Sequence, residues 1–173
     1  MKFISQDFTL RPFIKTDSKS LAKHGNNPKI NINLRDGFPY PYKIEDAIEF
    51  IENAKKNKNA WIFAIVINKE AVGAIGVFRK DNVYRFSAEI GYWLSEEFWG
   101  KGITTKAVKI ISDYFLKETD IVRLFASVFE INPPSMRILE KAGFINEGII
   151  KKSVFKNGVL LNEHVYSKLK EGI

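Results

Sequence analysis

The sequence contains no cysteine and only two histidines, and these absences exclude several kinds of chemistry. Without cysteine the chain has no disulfide framework, no thiolate ligand for a metal and no cysteine nucleophile. His24 and His164 lie far apart in the sequence and show no spacing typical of a zinc site. We therefore expect no metal site and no covalent acyl-cysteine intermediate.

Long hydrophobic runs are also missing. The longest purely apolar run, which includes Trp61 to Ile67, begins at Ala60 and is far short of the roughly 20 residues that cross a bilayer. The first residues, MKFISQDF, lack the apolar region of a signal peptide. A chain of 173 residues with 45% hydrophobic content is long enough for one core. We expect a single domain over residues 1–173, cytoplasmic and without a membrane partner.

The charge balance favours an anionic ligand. Lysine and arginine number 27 against 20 aspartate and glutamate, which gives a net charge of +7. The basic residues are scattered along the chain, so the sequence does not require direct nucleic-acid binding.

Hydrophobic periodicity predicts an α+β domain. The predicted order is one strand, two helices, three strands, a helix, a strand, a helix and two strands. Because consecutive strands are closely connected, we expect a mixed, mostly antiparallel sheet of six to seven strands flanked by about four helices. The segment from Asn31 to Tyr42 contains a glycine and two prolines and is predicted to be irregular. Asn157-Gly158 predicts the last hairpin turn.

A glycine turn lies between the last of the three consecutive predicted strands and the helix that follows them. Its sequence, from Phe98 to Ala107, is FWGKGITTKA. Such a turn exposes backbone N–H groups at the positive end of the helix, where a phosphate binds well. It is not a P-loop, because Lys101 lies between the glycines. Nor does it match the dinucleotide fingerprint, because Thr105 stands where the third glycine is needed.

Four segments in a fixed order resemble the GNAT superfamily of N-acetyltransferases, and more narrowly the branch of ribosomal-protein N-terminal alanine and serine acetyltransferases. The segments are Thr9 to Phe13, Ile90 to Leu94, Trp99 to Thr104, and Asn132 to Phe144. Two residues depart from the usual pattern: Trp99 replaces a glutamine or arginine, and Thr104 replaces a glycine or alanine. The resemblance implies a GNAT-like single domain and an N-acetyltransferase activity.

The resemblance also implies that acetyl-CoA is the co-substrate. Its pyrophosphate is expected on the N–H groups of the glycine turn, and its outlying phosphate near one of three basic side chains. In this family the preceding strand bulges and splays from its neighbour, and its backbone pairs with the pantetheine arm. The predicted pyrophosphate contacts are Lys101, Gly102, Ile103, Thr104 and Thr105; the basic candidates are Lys101, Lys106 and Arg137; and the predicted pantetheine contacts are Trp93, Leu94, Ser95 and Asn132. The basic residues are equally compatible with a solvated face, and Asn132 before Pro133 is also a standard helix cap.

The predicted catalytic residues are Glu89, Leu94 and Ser135. Glu89 is expected to accept the amine proton through a water, although a charged residue on a solvated sheet face is the alternative. The Leu94 N–H is expected to polarise the thioester carbonyl. The tyrosine that many GNAT enzymes use as an acid is replaced by Leu139. Ser135 matches the serine of the ribosomal-protein branch, either as a general acid or as a hydrogen-bond donor to the thiolate.

The acceptor amine remains open at this stage. Candidates are a protein or peptide N-terminus such as that of a ribosomal protein, a polyamine, an amino acid or an aminoglycoside, and a CoA-binding module without catalysis is a further alternative. The predicted acceptor cleft lies between the irregular segment, the helix after it and the loop near Lys156 to Gly158. Its aromatic and acidic residues, which favour a cationic substrate, are Phe38, Tyr40, Tyr42, Glu45 and Asp46. The oligomeric state, a homo-oligomer included, is not predicted.

Overall fold

The computed structural model describes residues 1–172, which form five α-helices and eight β-strands. In chain order the elements are β1 (Phe3–Ile4), β2 (Thr9–Arg11), α1 (Asp17–Gly25), α2 (Pro28–Asn31), α3 (Ile44–Lys56), β3 (Ala60–Ile67), β4 (Glu70–Arg79), β5 (Ser87–Leu94), α4 (Ile103–Glu118), β6 (Arg123–Phe129), α5 (Pro133–Lys141), β7 (Ile145–Lys156) and β8 (Val159–Leu169). Single 3₁₀ turns at Asn82–Tyr84 and Glu96–Phe98 flank β5.

All eight strands form one sheet in the order β1-β2-β3-β4-β5-β6-β8-β7. Every neighbouring pair is antiparallel except β5 and β6, which are parallel. The predicted fold class is confirmed. The sheet has one strand more than the predicted upper number and the chain one helix more than predicted. The two-residue β1 and the four-residue α2 are each too short to produce a periodic pattern.

The sheet separates two hydrophobic cores because successive side chains of a strand point to opposite faces. One core lies under α4 and α5 and includes Ile90 and Leu94 of β5. The other lies under α1 and α3 and includes Trp93 of the same strand. Every residue of β5 therefore belongs to a known face, and this assignment decides which side chains can meet at the site.

Turn chemistry agrees with the sequence at the last hairpin. Asn157 and Gly158 both have positive φ values, 50° and 83°, as the tight turn between two twisted strands requires. Within residues 1–172, no helix combines the length and the apolar character needed to pass through a membrane.

Candidate active site

The two parallel strands in the middle of the sheet pair over only three residues each. Ser87 to Glu89 on β5 lie opposite Arg123 to Phe125 on β6, and the register ends there. Both strands continue, β5 to Leu94 and β6 to Phe129. A gap therefore opens between them toward their C-terminal ends, and the splay expected from the resemblance is present.

The backbone groups that face this gap follow from the pairing on the outer sides of the two strands. The Ser95 N–H donates to the Val72 carbonyl at 2.8 Å, continuing the register of β4 and β5. Because antiparallel pairs alternate, the odd-numbered residues of β5 bond to β4, and the N–H and C=O groups of Tyr92 and Leu94 point the other way, toward the gap. The Leu94 carbonyl accepts the indole N–H of Trp99 at 2.8 Å. By the alternation of the strand, the Leu94 N–H faces the gap, as its predicted role requires.

Strand β6 contributes backbone groups to the opposite side of the gap. The Glu130 N–H donates to the Asn162 carbonyl at 3.0 Å, so the even-numbered residues of β6 bond to β8. The N–H and C=O groups of Ser127 consequently face β5 beyond the last pair. Ser127 was not among the predicted site residues, because the register of β6 against β8 is not visible in the sequence.

The other two predicted pantetheine residues on this stretch, Trp93 and Ser95, direct their backbone groups toward β4. The Trp93 ring packs in the core beneath α1 and α3, edge-on to Phe38 at 5.4 Å between centroids. The Ser95 hydroxyl lies 3.0 Å from Nδ1 of His24. The predicted bulge in this strand is wrong: β5 pairs with β4 in one unbroken register from Ala88 to Leu94.

The glycine turn ends in a helix whose first N–H groups have no side-chain cap. Gly100 and Gly102 both adopt positive φ values, 74° and 73°, and Gly102 is the N-cap of α4. The first intrahelical bond runs from the Lys106 N–H to the Gly102 carbonyl at 3.0 Å. The N–H groups of the first turn, Ile103 to Thr105, therefore point out of the helix end, where the dipole is positive. This arrangement fits the pyrophosphate of acetyl-CoA.

The side chains of the turn contribute less than its backbone. The side chains of Ile103, in the core under α4, and of Thr104 are both buried. These two residues can therefore contribute their backbone N–H groups to a ligand, but not their side chains. The Lys101 ammonium lies 5.1 Å from the centre of the Phe98 ring. Of the other basic candidates, Lys106 forms an ion pair with Asp7, whereas Arg137 lies exposed on α5.

Asn132 and Ser135 lie at the start of α5, on the other side of the gap. The Asn132 side-chain oxygen accepts the Ser135 N–H at 3.2 Å, so Asn132 caps the helix as expected. The Ser135 hydroxyl lies 2.9 Å from the hydroxyl of Tyr92. Burial raises the pKa of Tyr92 well above its ordinary value, while the Ser135 hydrogen bond acts in the opposite direction. Sequence reasoning missed Tyr92.

Glu89 lies on the opposite face of β5 from Tyr92, as strand alternation predicts. Its side chain is 13% exposed and each of its oxygens has a cationic partner. Arg35, from the irregular segment, donates to Oε1, and the Lys80 ammonium lies 2.9 Å from Oε2. Neither cation was predicted. Arg35 is 54 residues from Glu89 along the chain, and Lys80 is separated from it by the turn between β4 and β5.

A shallow groove of about 490 Å³ lies between the irregular segment and the β7–β8 turn. Lys156 is almost fully buried beside it and donates to Asp36 at 2.8 Å. The Phe38 ring stacks on Tyr42 at 4.5 Å. The residues lining the groove are Pro28, Asn31, Ile32, Asp36, Phe38, Pro39, Tyr40, Lys156 and Asn157. Two predicted walls, the irregular segment and the hairpin loop, thus meet.

The acidic residues predicted for this cleft are not among its lining residues. Glu45 and Asp46 lie in the first turn of α3, and the Asp46 carboxylate accepts the Lys43 N–H at 2.7 Å. Asp46 therefore caps the helix. Asp46 also acts on Tyr42. Burial is the main cause that raises the pKa of the Tyr42 phenol, and the negative charge of Asp46 is the second.

Comparison with known proteins gives a family match over most of the chain. Residues 7–145 match the model of the acetyltransferase (GNAT) domain. The family predicted from the sequence is therefore confirmed.

Two curated relatives from Bacillus subtilis (strain 168) align with part of the chain. The chain is 41% identical over 98 residues to "Probable N-acetyltransferase YjcK", and the alignment covers 57% of this chain and 54% of that protein. It is 36% identical over 98 residues to "Putative ribosomal N-acetyltransferase YdaF", covering 57% of this chain and 53% of that protein. The aligned part thus spans little more than half the length of either relative.

A solved structure shares the fold over nearly the whole chain. It is RimL, a ribosomal L7/L12 alpha-N-protein acetyltransferase in complex with coenzyme A, and it superposes with a TM-score of 0.88 at 20% identity. The superposition covers 99% of this chain and 98% of that structure.

Proposed function

The chain belongs to the GNAT acetyltransferase family, which uses acetyl-CoA, and we propose that it acetylates the N-terminal amine of a protein or peptide. A ribosomal protein is the proposed type of acceptor, as the names of YdaF and RimL suggest. The observation that carries the proposal is the position of Glu89, whose backbone forms the last pair before β5 and β6 part and whose carboxylate reaches the irregular segment that walls the groove.

Residues around the gap would hold acetyl-CoA. The N–H groups of Gly102 to Thr105 would hold its pyrophosphate, since the helix end offers several donors and no acidic side chain in its first turn. The backbone of Leu94, and that of Ser127 across the gap, would hydrogen-bond to the pantetheine arm as an added strand does. The bound thioester is the acetyl donor in the reaction.

The proposed chemistry is a direct attack of the amine within a ternary complex. A bond forms between the amine nitrogen and the acetyl carbon, the carbon–sulfur bond breaks, and its electron pair stays on sulfur. Glu89 accepts the amine proton through a water, a role typically worth about 10²- to 10⁴-fold in rate. The Leu94 N–H donates to the carbonyl oxygen as charge develops on it. Ser135 donates a hydrogen bond to the departing thiolate.

The charges around the groove favour an acceptor with one amine over a polyamine. Arg35 and Lys80 share the carboxylate of Glu89, the proposed base, and Lys156 beside the groove is paired with Asp36. A polycation would meet these three cations, whereas an N-terminal peptide brings one ammonium and many backbone hydrogen-bonding groups. The aromatic Phe38 and Tyr40 offer apolar surface for its first side chains.

Thiol release from acetyl-CoA, measured across an acceptor panel, tests the proposal. The panel contains a peptide that begins with serine or alanine, the same peptide with a blocked N-terminus, spermidine and an aminoglycoside. We expect turnover with the free peptide only. Turnover confined to spermidine or the aminoglycoside would reject the peptide acceptor, and CoA binding without turnover on any amine would indicate a non-catalytic module.

A further inference from the structure

The strongest unassigned feature is the hydroxyl pair formed by Tyr92 and Ser135 across the gap. The two oxygens lie 2.9 Å apart, and the Tyr92 hydroxyl also lies 3.4 Å from the Ser135 carbonyl oxygen. Tyr92 packs against the core under α4 and α5, together with Met136 and Ile138 of α5. The contact therefore joins β5, which precedes the glycine turn, to the first turn of α5.

The Tyr92 side chain carries a polar hydroxyl next to the hydrophobic core under α4 and α5. Both side chains are half-buried, and because a shielded hydroxyl without a partner is costly, the contact satisfies both hydroxyls. Burial raises the pKa of Tyr92, so the phenol keeps its proton throughout the physiological range. A neutral phenol cannot act as a base here, but it remains a hydrogen-bond donor.

The hydroxyl proton of each side chain can point in only one direction at a time. A serine hydroxyl has one proton and two lone pairs, and a phenol is the more acidic of the two and the better donor. When Tyr92 donates to Ser135, the serine proton is free to point elsewhere. The backbone of Ser135 is already fixed, because its N–H donates to the Asn132 cap. The serine lies in the first turn of α5 and its hydroxyl contacts β5 through Tyr92, so a free serine proton could point into the gap between β5 and β6.

We propose that Tyr92 is a positioning residue for acetyl transfer, which orients the Ser135 hydroxyl as a donor to the sulfur of CoA. The inference rests on the proposed function and adds a residue to it. No proton is transferred in this contact. The sulfur leaves as the thiolate, and the serine hydroxyl stabilises it by a hydrogen bond. Tyr92 acts only through Ser135 and does not touch the reacting atoms.

The test combines Tyr92→Phe, Ser135→Ala and the double variant. With the best acceptor of the panel, Tyr92→Phe is expected to lower kcat about three- to tenfold, the effect of one hydrogen bond, and to leave the KM for acetyl-CoA unchanged. In the Ser135→Ala background the same substitution should have no further effect on kcat, because the two residues act as one unit. Tyr114→Phe is the matched control, since Tyr114 packs against the same core.

A second readout does not depend on turnover. A CoA thiol has an ordinary pKa of about 8.5, so the affinity for CoA should rise between about pH 7 and about pH 9.5 as the serine hydroxyl stabilises the thiolate. Desulfo-CoA, which has no thiol, should show no such rise. Calorimetric titration of CoA should find the rise reduced in Tyr92→Phe and in Ser135→Ala, and intact in Tyr114→Phe.

Three results would overturn the inference: an unchanged pH-dependent rise in Tyr92→Phe, an unchanged kcat, or an equal loss of kcat with and without the Ser135 hydroxyl. The last result would mean that Tyr92 matters only for packing. If the wild-type protein releases no thiol with any acceptor, but shows a rise with CoA that Tyr92→Phe reduces and Tyr114→Phe does not, the proposed function fails and the Tyr92–Ser135 contact is supported.

Discussion

The guanidinium of Arg35 is hydrogen-bonded to the carboxylate of Glu89, 54 residues further along the chain. Glu89 is largely shielded, with 13% of its side chain exposed, whereas 69% of the Arg35 side chain is exposed. An ion pair with so exposed a partner is weak and easily exchanged. Arg35 would therefore compete with the charge of an incoming ammonium for the carboxylate proposed as the base.

Replacing Arg35 by alanine should improve acceptor binding. Without competition from the guanidinium, the KM for the amine should fall by up to about fivefold, the value of an exposed ion pair, and the KM for acetyl-CoA should not change. Steady-state kinetics with both substrates varied would measure this. The control is Arg85→Ala, because Arg85 bonds to the Asn82 carbonyl in the turn before β5. An increase in the amine KM would instead mean that Arg35 binds the acceptor.

Replacing Glu89 by glutamine should separate chemistry from cofactor binding. The amide cannot accept the amine proton, so kcat should fall by about 10²-fold or more. The affinity for CoA, measured by calorimetry, should stay near its wild-type value, because the proposed cofactor contacts lie on the backbone of other residues. The same substitution at exposed Glu118, at the end of α4, provides the comparison. A normal kcat in Glu89→Gln would remove this carboxylate from the mechanism.

Gly102→Val should weaken CoA binding through the backbone of the helix end. A side chain at a φ value of 73° is strained by about 1–2 kcal/mol, and the Cβ of a valine at this position would have no protein atom within 4 Å, so it would project into open space. We expect at least a tenfold loss of CoA affinity.

Gly158→Val is the matched control for that strain. Gly158 also has a positive φ value, 83°, and open space around its Cβ, but it lies in the β7–β8 turn. Both variants should lose comparable stability in thermal denaturation, and only Gly102→Val should lose CoA affinity. Equal CoA affinities in the two variants would contradict the pyrophosphate site.

The stability contribution of Glu147 should depend on pH. The Ser167 hydroxyl, which donates to it at 2.5 Å, and then Arg123 hold the pKa of Glu147 below its ordinary value of 4.5. The unfolded chain thus binds this proton more readily, and the contribution is complete above the ordinary pKa and disappears as the pH falls through the lower, folded value. Urea unfolding should show a larger difference between wild type and Glu147→Gln at about pH 6 than at about pH 3. In Ser167→Ala the dependence should shrink; an undiminished one would exclude the hydroxyl as the main cause.

Local signals predicted much of this molecule correctly. Strand alternation predicted the face of Glu89, and the Asn157-Gly158 pair predicted the last hairpin turn, where both residues have positive φ values. These features depend on a few neighbouring residues, whose steric preferences are visible in the sequence. Asn132 before Pro133 predicted a helix cap for the same reason.

Contacts between distant segments could not be predicted in the same way. The partner of Ser135 is Tyr92, 43 residues away, and it depends on how α5 packs against β5. Arg35 reaches Glu89 from a segment that has no periodicity. The bulge expected in β5 is absent, because its register with β4 is set by the whole hairpin rather than by local sequence.

The early parting of β5 and β6 leaves the sheet as two blocks, β1 to β5 and β6 to β8, whose strands share only three residue pairs. A molecule bound in the gap contacts both blocks, and its binding free energy adds to the cohesion of the native state. By mass action, a ligand at a hundred times its Kd stabilises a folded protein by about 2.7 kcal/mol if it does not bind the unfolded chain. The acetyl donor would then also hold the two halves of the sheet together, and resistance of the protein to unfolding would follow the CoA concentration around it.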